Sequence, residues 1–389
     1  MTEGCESAKE HRERGNEFAT SSRAWVVDAR QALILLRLAA PRAARMRWSD
    51  VRLEAHAHVL PERLVTSEEL ERRLAPLYER LRLSVGRLEL MSGIRARRFF
   101  APGTRPSAIA ARAGALALEK SGVARERIGL LIHAGVCRDF LEPATASVVH
   151  HALELPPTCA AYDLSNACLG FANALCVAAS QIEQREIDAA LVVSGEDGGA
   201  LVEETVRYLT TDPKAGRAEL KRAHASLTIG AGGAAMVLAH ASVATRSARL
   251  AGAVALADSS AHVLCRGDAK GGAGPLMETD SEALLQAGNA LAARTWPRFL
   301  GELAWSADSI DRIVTHQVGV AHRRLLFETL ALDSERDFPT VEELGNIGSV
   351  SLPLSYSLAV DRGAIRTGER VGLLGIGSGL NCLMLGVVA

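Results

Sequence analysis

The feature that most constrains this chain is a cysteine at a predicted junction between a strand and a helix. Residues 161–164 alternate in polarity as in a short buried strand, and from Leu169 onward the apolar residues recur at helical spacing toward Arg185. Cys168 lies between these two elements. The first amides of a helix carry partial positive charge, which favours a thiolate over a thiol. A lone cysteine at such a position is nevertheless more often a small buried hydrophobic residue.

Three segments in the second half of the chain favour a chemical role for Cys168. His316 ends the apolar run 313–315, and the ends of strands are where open α/β sheets place functional groups. Asn346 lies on a loop between two glycines, and the glycine-rich turn around Ser378 would let backbone amides approach a ligand oxygen. A lone histidine or asparagine would more often be structural. The constellation of these residues with Cys168 indicates a chemical site.

The constellation resembles the active site of the ketoacyl-synthase III branch of the thiolase superfamily, which is a Cys-His-Asn triad. The matching motifs are N-A-C-x-x-F at 166–171, T-H-Q-V at 315–318 and G-N-x-G-S-x-S-x-P at 345–353. The resemblance covers roughly residues 46–389. It implies an α/β thiolase fold, in which two duplicated βαβ-rich halves form a five-layered α-β-α-β-α core.

An internal repeat in the sequence is consistent with two halves. An alanine-rich predicted helix at 110–120 precedes the predicted strand 128–133, and a second predicted helix at 283–294 precedes the strand that ends at His316. In both places a polar turn separates the helix from the strand. The same supersecondary unit is therefore expected twice.

We predict a first thiolase-like half over residues 46–215, which contains Cys168 and Glu142, and a second half over residues 216–389. The divide falls in a charged stretch. Residues 1–45 are polar at first and then rich in alanine, leucine and arginine, and we interpret them as a loosely ordered extension.

Composition excludes several functional classes. Hydrophobic residues make up 48% and charged residues 23%, as in ordinary globular proteins, and a net charge of −1 predicts neither nucleic-acid binding nor a basic membrane face. The apolar run 32–36 is too short to span a bilayer, and the secretory signal pattern is absent. The seven cysteines are scattered, which argues against a disulfide framework and a zinc site. We expect a cytoplasmic protein without a transmembrane segment or metal.

The resemblance implies a role for each residue of the constellation. Cys168 would hold an acyl group as a thioester. Its own amide and that of Ser378 would form one oxyanion hole, while His316 and Asn346 would form a second over the thioester carbonyl of the other substrate. Acyl-CoA is then a substrate that releases coenzyme A, and no further cofactor is implied.

The coenzyme A contacts of acetyl-primed members of the family are not carried over to this chain. Met91 stands where those members have an arginine. The three arginines that follow are weak candidates for phosphate contacts, and the favoured interpretation is that they are surface residues: Arg95, Arg97 and Arg98. The residues that bind coenzyme A are therefore unknown from the sequence.

Glu142 is the candidate base for removing an α-proton. It precedes Pro143 in an apolar neighbourhood that favours a raised pKa. From position alone, an acidic residue at a helix N-terminus, with proline in the first turn, is the competing interpretation.

A second resemblance concerns the segments around these residues. R-D-x-x-E-P-x-T-A at 138–146, L-G-N-I-G-S-V-S at 344–351 and L-L-G-I-G-S-G-L-N-C at 373–382 resemble the head-to-head acyl-CoA condensing enzymes of bacterial long-chain olefin biosynthesis. This resemblance implies a homodimer in which Glu142 of the partner subunit serves Cys168.

The implied reaction joins two fatty acyl-CoA molecules into a 2-alkyl-3-oxoalkanoate by Claisen condensation without decarboxylation, and downstream pathway enzymes would use this product. Three alternatives stay open. They are a decarboxylative 3-oxoacyl-ACP synthase III with a malonyl donor, a simple acyltransferase or thioesterase, and a non-catalytic subunit of a heterodimer.

Overall fold

The computed structural model describes residues 44–267 and 277–389 of the chain. The extension predicted over residues 1–45 lies outside this part, apart from its last two residues, which begin the first strand. Among the helices of the described part, none is long and apolar enough to cross a membrane.

The strands of the described part form one large mixed sheet and two short pairs, β3 with β4 and β10 with β11. In chain order they are β1 Ala44–Arg47, β2 Val51–Val59, β3 Arg63–Thr66, β4 Ala96–Phe99, β5 Ile128–Ala134, β6 Ala160–Leu164, β7 Ala189–Asp197, β8 Ala231–His240, β9 Arg249–Ala257, β10 Cys265–Gly267, β11 Met277–Thr279, β12 Arg312–Thr315, β13 Arg370–Gly377 and β14 Asn381–Val388.

The α-helices lie between these strands. They are α1 Ser67–Arg73, α2 Ala75–Leu81, α3 Arg87–Ser92, α4 Pro106–Ser121, α5 Thr145–Ala152, α6 Gly170–Glu183, α7 Gly199–Thr211, α8 Arg217–Ala223, α9 Ser281–Leu303, α10 Val320–Leu330, α11 Val341–Leu344 and α12 Ser351–Asp361. Thr66 caps α1 by accepting a hydrogen bond from the Glu69 amide, and α1 and α2 separate just before Pro76, as the sequence predicts.

The large sheet consists of two groups of strands in mirrored order. The first group runs β6-β5-β7-β8-β2 and the second runs β9-β14-β13-β12, with β2 beside β9 in the middle. The tenth strand, β1, pairs with β9. A helix leads into the parallel strand of each group, α4 into β5 and α9 into β12, so the repeat predicted from the sequence is present. Strand β8 follows residue 215 but pairs with β2 and β7, which assigns residues 231–240 to the sheet of the first half.

Helices cover both faces of each group. Between the groups, α6 and α12 share one hydrophobic core with strands of both halves. Helices α4 and α5 cover the outer face of the first group, and α9 and α10 cover that of the second. All residues of 351–359 in α12 are buried, because the helix packs between the strands of the two groups. The layers therefore alternate α-β-α-β-α, which confirms the predicted fold class.

Candidate active site

The candidate site residues lie where parallel strands end. Cys168 follows β6, and Glu196 is next to the last residue of β7. In the second half, His316 directly follows β12 and Ser378 directly follows β13. Because β5 pairs in parallel with β6 and β7, and β12 with β13, the carboxyl ends within each group lie at a common edge. Residues far apart in the chain thus meet in space.

A cavity of about 430 Å³ at this place is lined by four of the predicted site residues: Cys168, His316, Asn346 and Ser378. Two polar loops and the glycine turn form one part of its wall. Much of the remainder is apolar, for example Leu201, Ile229, Leu284, Leu326, Ile347 and Leu380. A mostly apolar wall with a few convergent polar groups suits a hydrocarbon ligand that carries one reactive polar centre.

Cys168 lies on the loop between β6 and α6 and is partly accessible. Burial, followed by the negative charge of Glu196, raises the pKa of its thiol to about 12. The sequence predicts the opposite direction. That prediction is wrong for the free protein, because α6 begins only at Gly170 and desolvation outweighs the partial charge of the helix start. The Cys168 thiol is therefore neutral at pH 7 and would have to lose its proton in order to react.

The raised pKa predicts how Cys168 reacts with a simple alkylating agent. Below its pKa the thiolate fraction increases about tenfold per pH unit, so the rate with iodoacetamide should increase steadily from pH 7 to pH 10 without a plateau. Intact-mass spectrometry at several pH values would measure this, with Cys168→Ala to subtract labelling of other cysteines. A plateau below pH 9 would show an activated thiolate and contradict the raised pKa.

His316 is held by its backbone amide, which donates a 2.8 Å hydrogen bond to the Leu374 carbonyl on β13. Both ring nitrogens are buried and have no hydrogen-bond partner among the described residues. Burial, with a smaller contribution from neighbouring His322, lowers the pKa of His316 to about 4. At neutral pH the ring is uncharged, so one nitrogen donates and the other accepts. It can take the proton of a thiol or donate to a ligand oxygen.

Asn346 is oriented by the loop that carries it. Its side-chain oxygen accepts a 3.0 Å hydrogen bond from the Gly348 amide, so its amide group keeps both N–H donors for the cavity. The preceding Gly345 has φ +68°, and a Cβ there would lie 2.6 Å from the Thr228 carbonyl oxygen. Only glycine fits this backbone, which explains why a glycine precedes the asparagine.

The glycine turn around Ser378 packs directly against the loop that carries Cys168. A Cβ on Gly375 or Gly377 would lie 2.5 Å or 2.9 Å from the side chain of Leu169, which follows Cys168. The side-chain amide of Asn381 also donates to Asn166 at 3.4 Å. These contacts bring the backbone of Ser378 to the same cavity as Cys168, where two amides can act on one oxygen.

Glu142 is exposed and does not line the cavity of its own chain. It lies on the loop between β5 and α5, beside Leu141, which is 94% exposed. The loop is nevertheless firmly held. Asp139 accepts from the amide and hydroxyl of Ser107 at 2.9 Å and 2.5 Å, and Asp163 accepts from the first two amides of α5 at 2.9 Å and 2.8 Å. The carboxylate is thus presented outward on an ordered loop.

Two acidic residues that the sequence interpretation missed line the cavity, Glu196 and Asp197. Glu196 is buried, and burial raises the pKa of Asp197. The available signal was their position at the end of a predicted buried strand, the same argument that identified His316. Cys265 and His322 also line the cavity and were missed.

Arg97 corrects a second sequence interpretation. It is not a surface arginine but fully buried, and its guanidinium donates to the Ser67 hydroxyl at 3.1 Å. Burial lowers its pKa to about 10. Its Cβ lies close to Gly230 and Gly345, so the side chain packs behind the Asn346 loop. The guanidinium is therefore not exposed to bind a phosphate group.

Comparisons with known proteins agree with this geometry. The family model "3-Oxoacyl-[acyl-carrier-protein (ACP)] synthase III C terminal" matches residues 300–387. The chain is 38% identical over 349 residues to the acyl-CoA:acyl-CoA alkyltransferase of Shewanella oneidensis, covering 88% of this chain and 99% of that protein. It is 36% identical over 343 residues to that of Xanthomonas campestris pv. campestris, covering 88% and 100%.

Solved structures give the same result. A cysteine-to-alanine variant of Xanthomonas campestris OleA matches with a TM-score of 0.85 and 36% identity over 90% of this chain and all of that one. A cysteine-to-serine variant of OleA with bound lauric acid and lauroyl-CoA matches with a TM-score of 0.84, again at 36% identity, over 88% of this chain and 100% of that one. This chain therefore belongs to the acyl-CoA:acyl-CoA alkyltransferase family, within the ketoacyl-synthase III-like part of the thiolase superfamily.

Proposed function

We propose that this protein condenses two fatty acyl-CoA molecules head to head, by a Claisen reaction without decarboxylation. The observation that carries the proposal is that one mostly apolar cavity is lined by Cys168, His316, Asn346 and Ser378. Two relatives are acyl-CoA:acyl-CoA alkyltransferases, and a variant of Xanthomonas campestris OleA has been solved with lauric acid and lauroyl-CoA.

In the first half-reaction the sulfur of Cys168 attacks the thioester carbonyl of one acyl-CoA. Neutral His316 accepts the thiol proton and passes it to the departing coenzyme A sulfur; its lowered pKa keeps the ring unprotonated at neutral pH before this transfer. The amides of Cys168 and Ser378 donate to the oxyanion. The products are an acyl thioester on Cys168 and free coenzyme A.

In the second half-reaction a carboxylate removes an α-proton from the second acyl-CoA. The donors of His316 and Asn346 stabilise the resulting enolate, whose carbon attacks the acyl group on Cys168. The carbon–sulfur bond to Cys168 breaks, and the sulfur regains a proton. Water then hydrolyses the remaining coenzyme A thioester. In total, two acyl-CoA molecules and one water yield one 2-alkyl-3-oxoalkanoate and two coenzyme A.

The carboxylate that we assign to this step is Glu142 of the partner subunit in a homodimer. Its loop is anchored by hydrogen bonds but exposes Val136, Phe140 and Leu141, an apolar surface that a second subunit would cover. In a two-fold dimer each subunit would both donate and receive such a loop. The OleA variants include a replaced glutamate, which precedes the replaced cysteine by the same number of residues as Glu142 precedes Cys168.

The reaction is assigned to the cytoplasm. The described cysteines are free, which suits a reducing compartment, and acyl-CoA is an intracellular substrate class. A 3-oxo acid with a 2-alkyl branch is reactive. We therefore expect the downstream partners to be enzymes that use it as their substrate.

The proposal is tested by supplying a fatty acyl-CoA as the sole substrate. We expect a condensed product and release of free coenzyme A in the absence of any malonyl donor. Removal of an α-proton by the base makes the carbanion that decarboxylation of a malonyl group would otherwise supply. Mass spectrometry of the products and a thiol assay would measure both. A product that requires malonyl-CoA or malonyl-carrier protein would identify the decarboxylative alternative, and release of fatty acid alone would identify a thioesterase.

A further inference from the structure

Glu196 is a buried carboxylate that contacts two loops of the site at once. It is 4% exposed, lies near the end of β7 and lines the cavity. It accepts hydrogen bonds from the amides of Val136 and Cys137 at 2.9 Å and 3.0 Å, on the loop that leads to Glu142. It also accepts from the hydroxyl and the amide of Ser349 at 2.7 Å and 3.4 Å, on the loop that carries Asn346.

These contacts leave Glu196 little capacity to act as a base. Four protein hydrogen-bond contacts converge on this carboxylate, three at Oε1 and one at Oε2. Taking a substrate proton would neutralise the carboxylate and weaken the charge-assisted bonds that hold both loops. Glu196 therefore holds the two loops in place. The groups assigned to the reaction, Glu142 and Asn346, lie on these loops.

The two loops approach Glu196 through glycines. A Cβ on Gly135 would lie 3.3 Å from its Oε1 atom, and a Cβ on Gly348 would lie 3.1 Å from the same atom. Side chains at these positions would crowd the carboxylate, so the backbone of each loop reaches it directly. Glu196 therefore contacts the backbone of both loops, and the Ser349 hydroxyl adds a 2.9 Å hydrogen bond to the Ala134 carbonyl at the start of the Glu142 loop.

We propose that Glu196 is a positioning residue that sets the loop of Glu142 and the loop of Asn346 relative to each other. The inference rests on the proposed function, in which Glu142 acts in the partner's cavity. One Glu196 then links the oxyanion donor of its own site to the base it supplies to the other site. Its loss should impair condensation, which needs both loops, more than acylation of Cys168.

The first test is Glu196→Gln, which keeps one acceptor oxygen but turns an NH₂ group toward an amide donor, so one loop loses a bond. We expect condensation to fall by roughly 100-fold, the cost of a misplacement of about 1 Å, while a fatty acyl-CoA still acylates Cys168. Intact-mass kinetics and product formation would measure the two half-reactions separately. An equal loss of both, or no loss of either, would overturn the proposal.

Glu54→Gln is the matched control for this variant. Glu54 is 3% exposed and accepts from the Thr245 amide, the Thr245 hydroxyl and the Arg246 amide at 2.9 Å, 2.9 Å and 3.0 Å, and it does not line the cavity. Its replacement should lower Tm without separating acylation from condensation. If it separates them as Glu196→Gln does, the separation reports general destabilisation, and the positioning role is refuted.

Mixed dimers test the link between the two sites. A subunit with Glu196→Gln and Cys168→Ala is paired, through different affinity tags, with an unmodified subunit, and the reference dimer carries Cys168→Ala alone. Condensation per intact Cys168 should fall by roughly tenfold or more, since the altered subunit supplies the Glu142 loop. Activity equal to the reference would overturn the positioning of this loop. A further dimer, in which one subunit carries Glu142→Gln together with Cys168→Ala, should be inactive; activity equal to the reference would refute the trans role of Glu142, and the half-reaction split of Glu196→Gln would still decide the inference.

Discussion

Replacing Cys168 with alanine is expected to remove acyl uptake and condensation together, lowering turnover by roughly 10⁶-fold, as the loss of a covalent nucleophile does. In the proposed mechanism His316 moves protons and Asn346 donates to oxygens, so neither takes over the role of the Cys168 sulfur. After incubation with a fatty acyl-CoA, intact-mass spectrometry should show an acyl adduct on the unmodified protein and none on the variant.

Cys265→Ala is the control for this prediction, since Cys265 lines the same cavity and is also free and partly accessible. Its sulfur accepts a hydrogen bond from the Thr279 hydroxyl at 3.4 Å, which gives it a structural contact. The Cys265 variant should keep both the adduct and turnover. An adduct mapped to Cys265, or condensation by the Cys168 variant, would show that the nucleophile is misassigned.

Glu142→Gln is expected to lower condensation by about 10²- to 10⁴-fold, the usual contribution of a general base. Acylation of Cys168 should persist, because that step passes its proton through His316 and not through the carboxylate. The glutamine has nearly the same size and lies on an exposed loop, so folding should be unaffected. Burst release of one coenzyme A per subunit, without condensed product, is the expected kinetic signature.

Asp197→Asn is the parallel variant. Asp197 lines the cavity of the subunit that carries Cys168, and burial raises its pKa, so it is the alternative candidate for the base. Its Oδ1 accepts from the Gly199 amide at 3.1 Å, a bond that asparagine can keep. We expect condensation to continue in this variant. Should Asp197→Asn stop condensation after normal acylation while Glu142→Gln does not, the base would lie in the same subunit as Cys168.

Much of the fold was predictable because its signals are local. The change from strand to helix spacing around Cys168, the break before Pro76 and the paired helix–strand units were visible in the sequence and are present in the structure. Strand β8 shows the limit of this approach. Its apolar sequence is compatible with either half, and only its pairing with β2 and β7 assigns it to the first.

The candidate site was predictable in its residue types but not in its support. Cys168, His316, Asn346 and Ser378 carry glycine-rich or strand-end motifs, and one cavity brings them together. Glu196 carries no motif of its own. Its significance comes from donors 60 and 153 residues away along the chain, on two loops that meet only in the folded protein.

The sequence by itself determined which segments become strands and helices and which side chains end them, because periodicity and glycine requirements act over a few residues. The tertiary structure alone decided the ionisation of the site. Burial raises the pKa of Cys168, against the direction expected at a helix start, and lowers that of His316. Both effects depend on how much water the other half of the chain excludes, which is a property of the assembled layers and of no single segment.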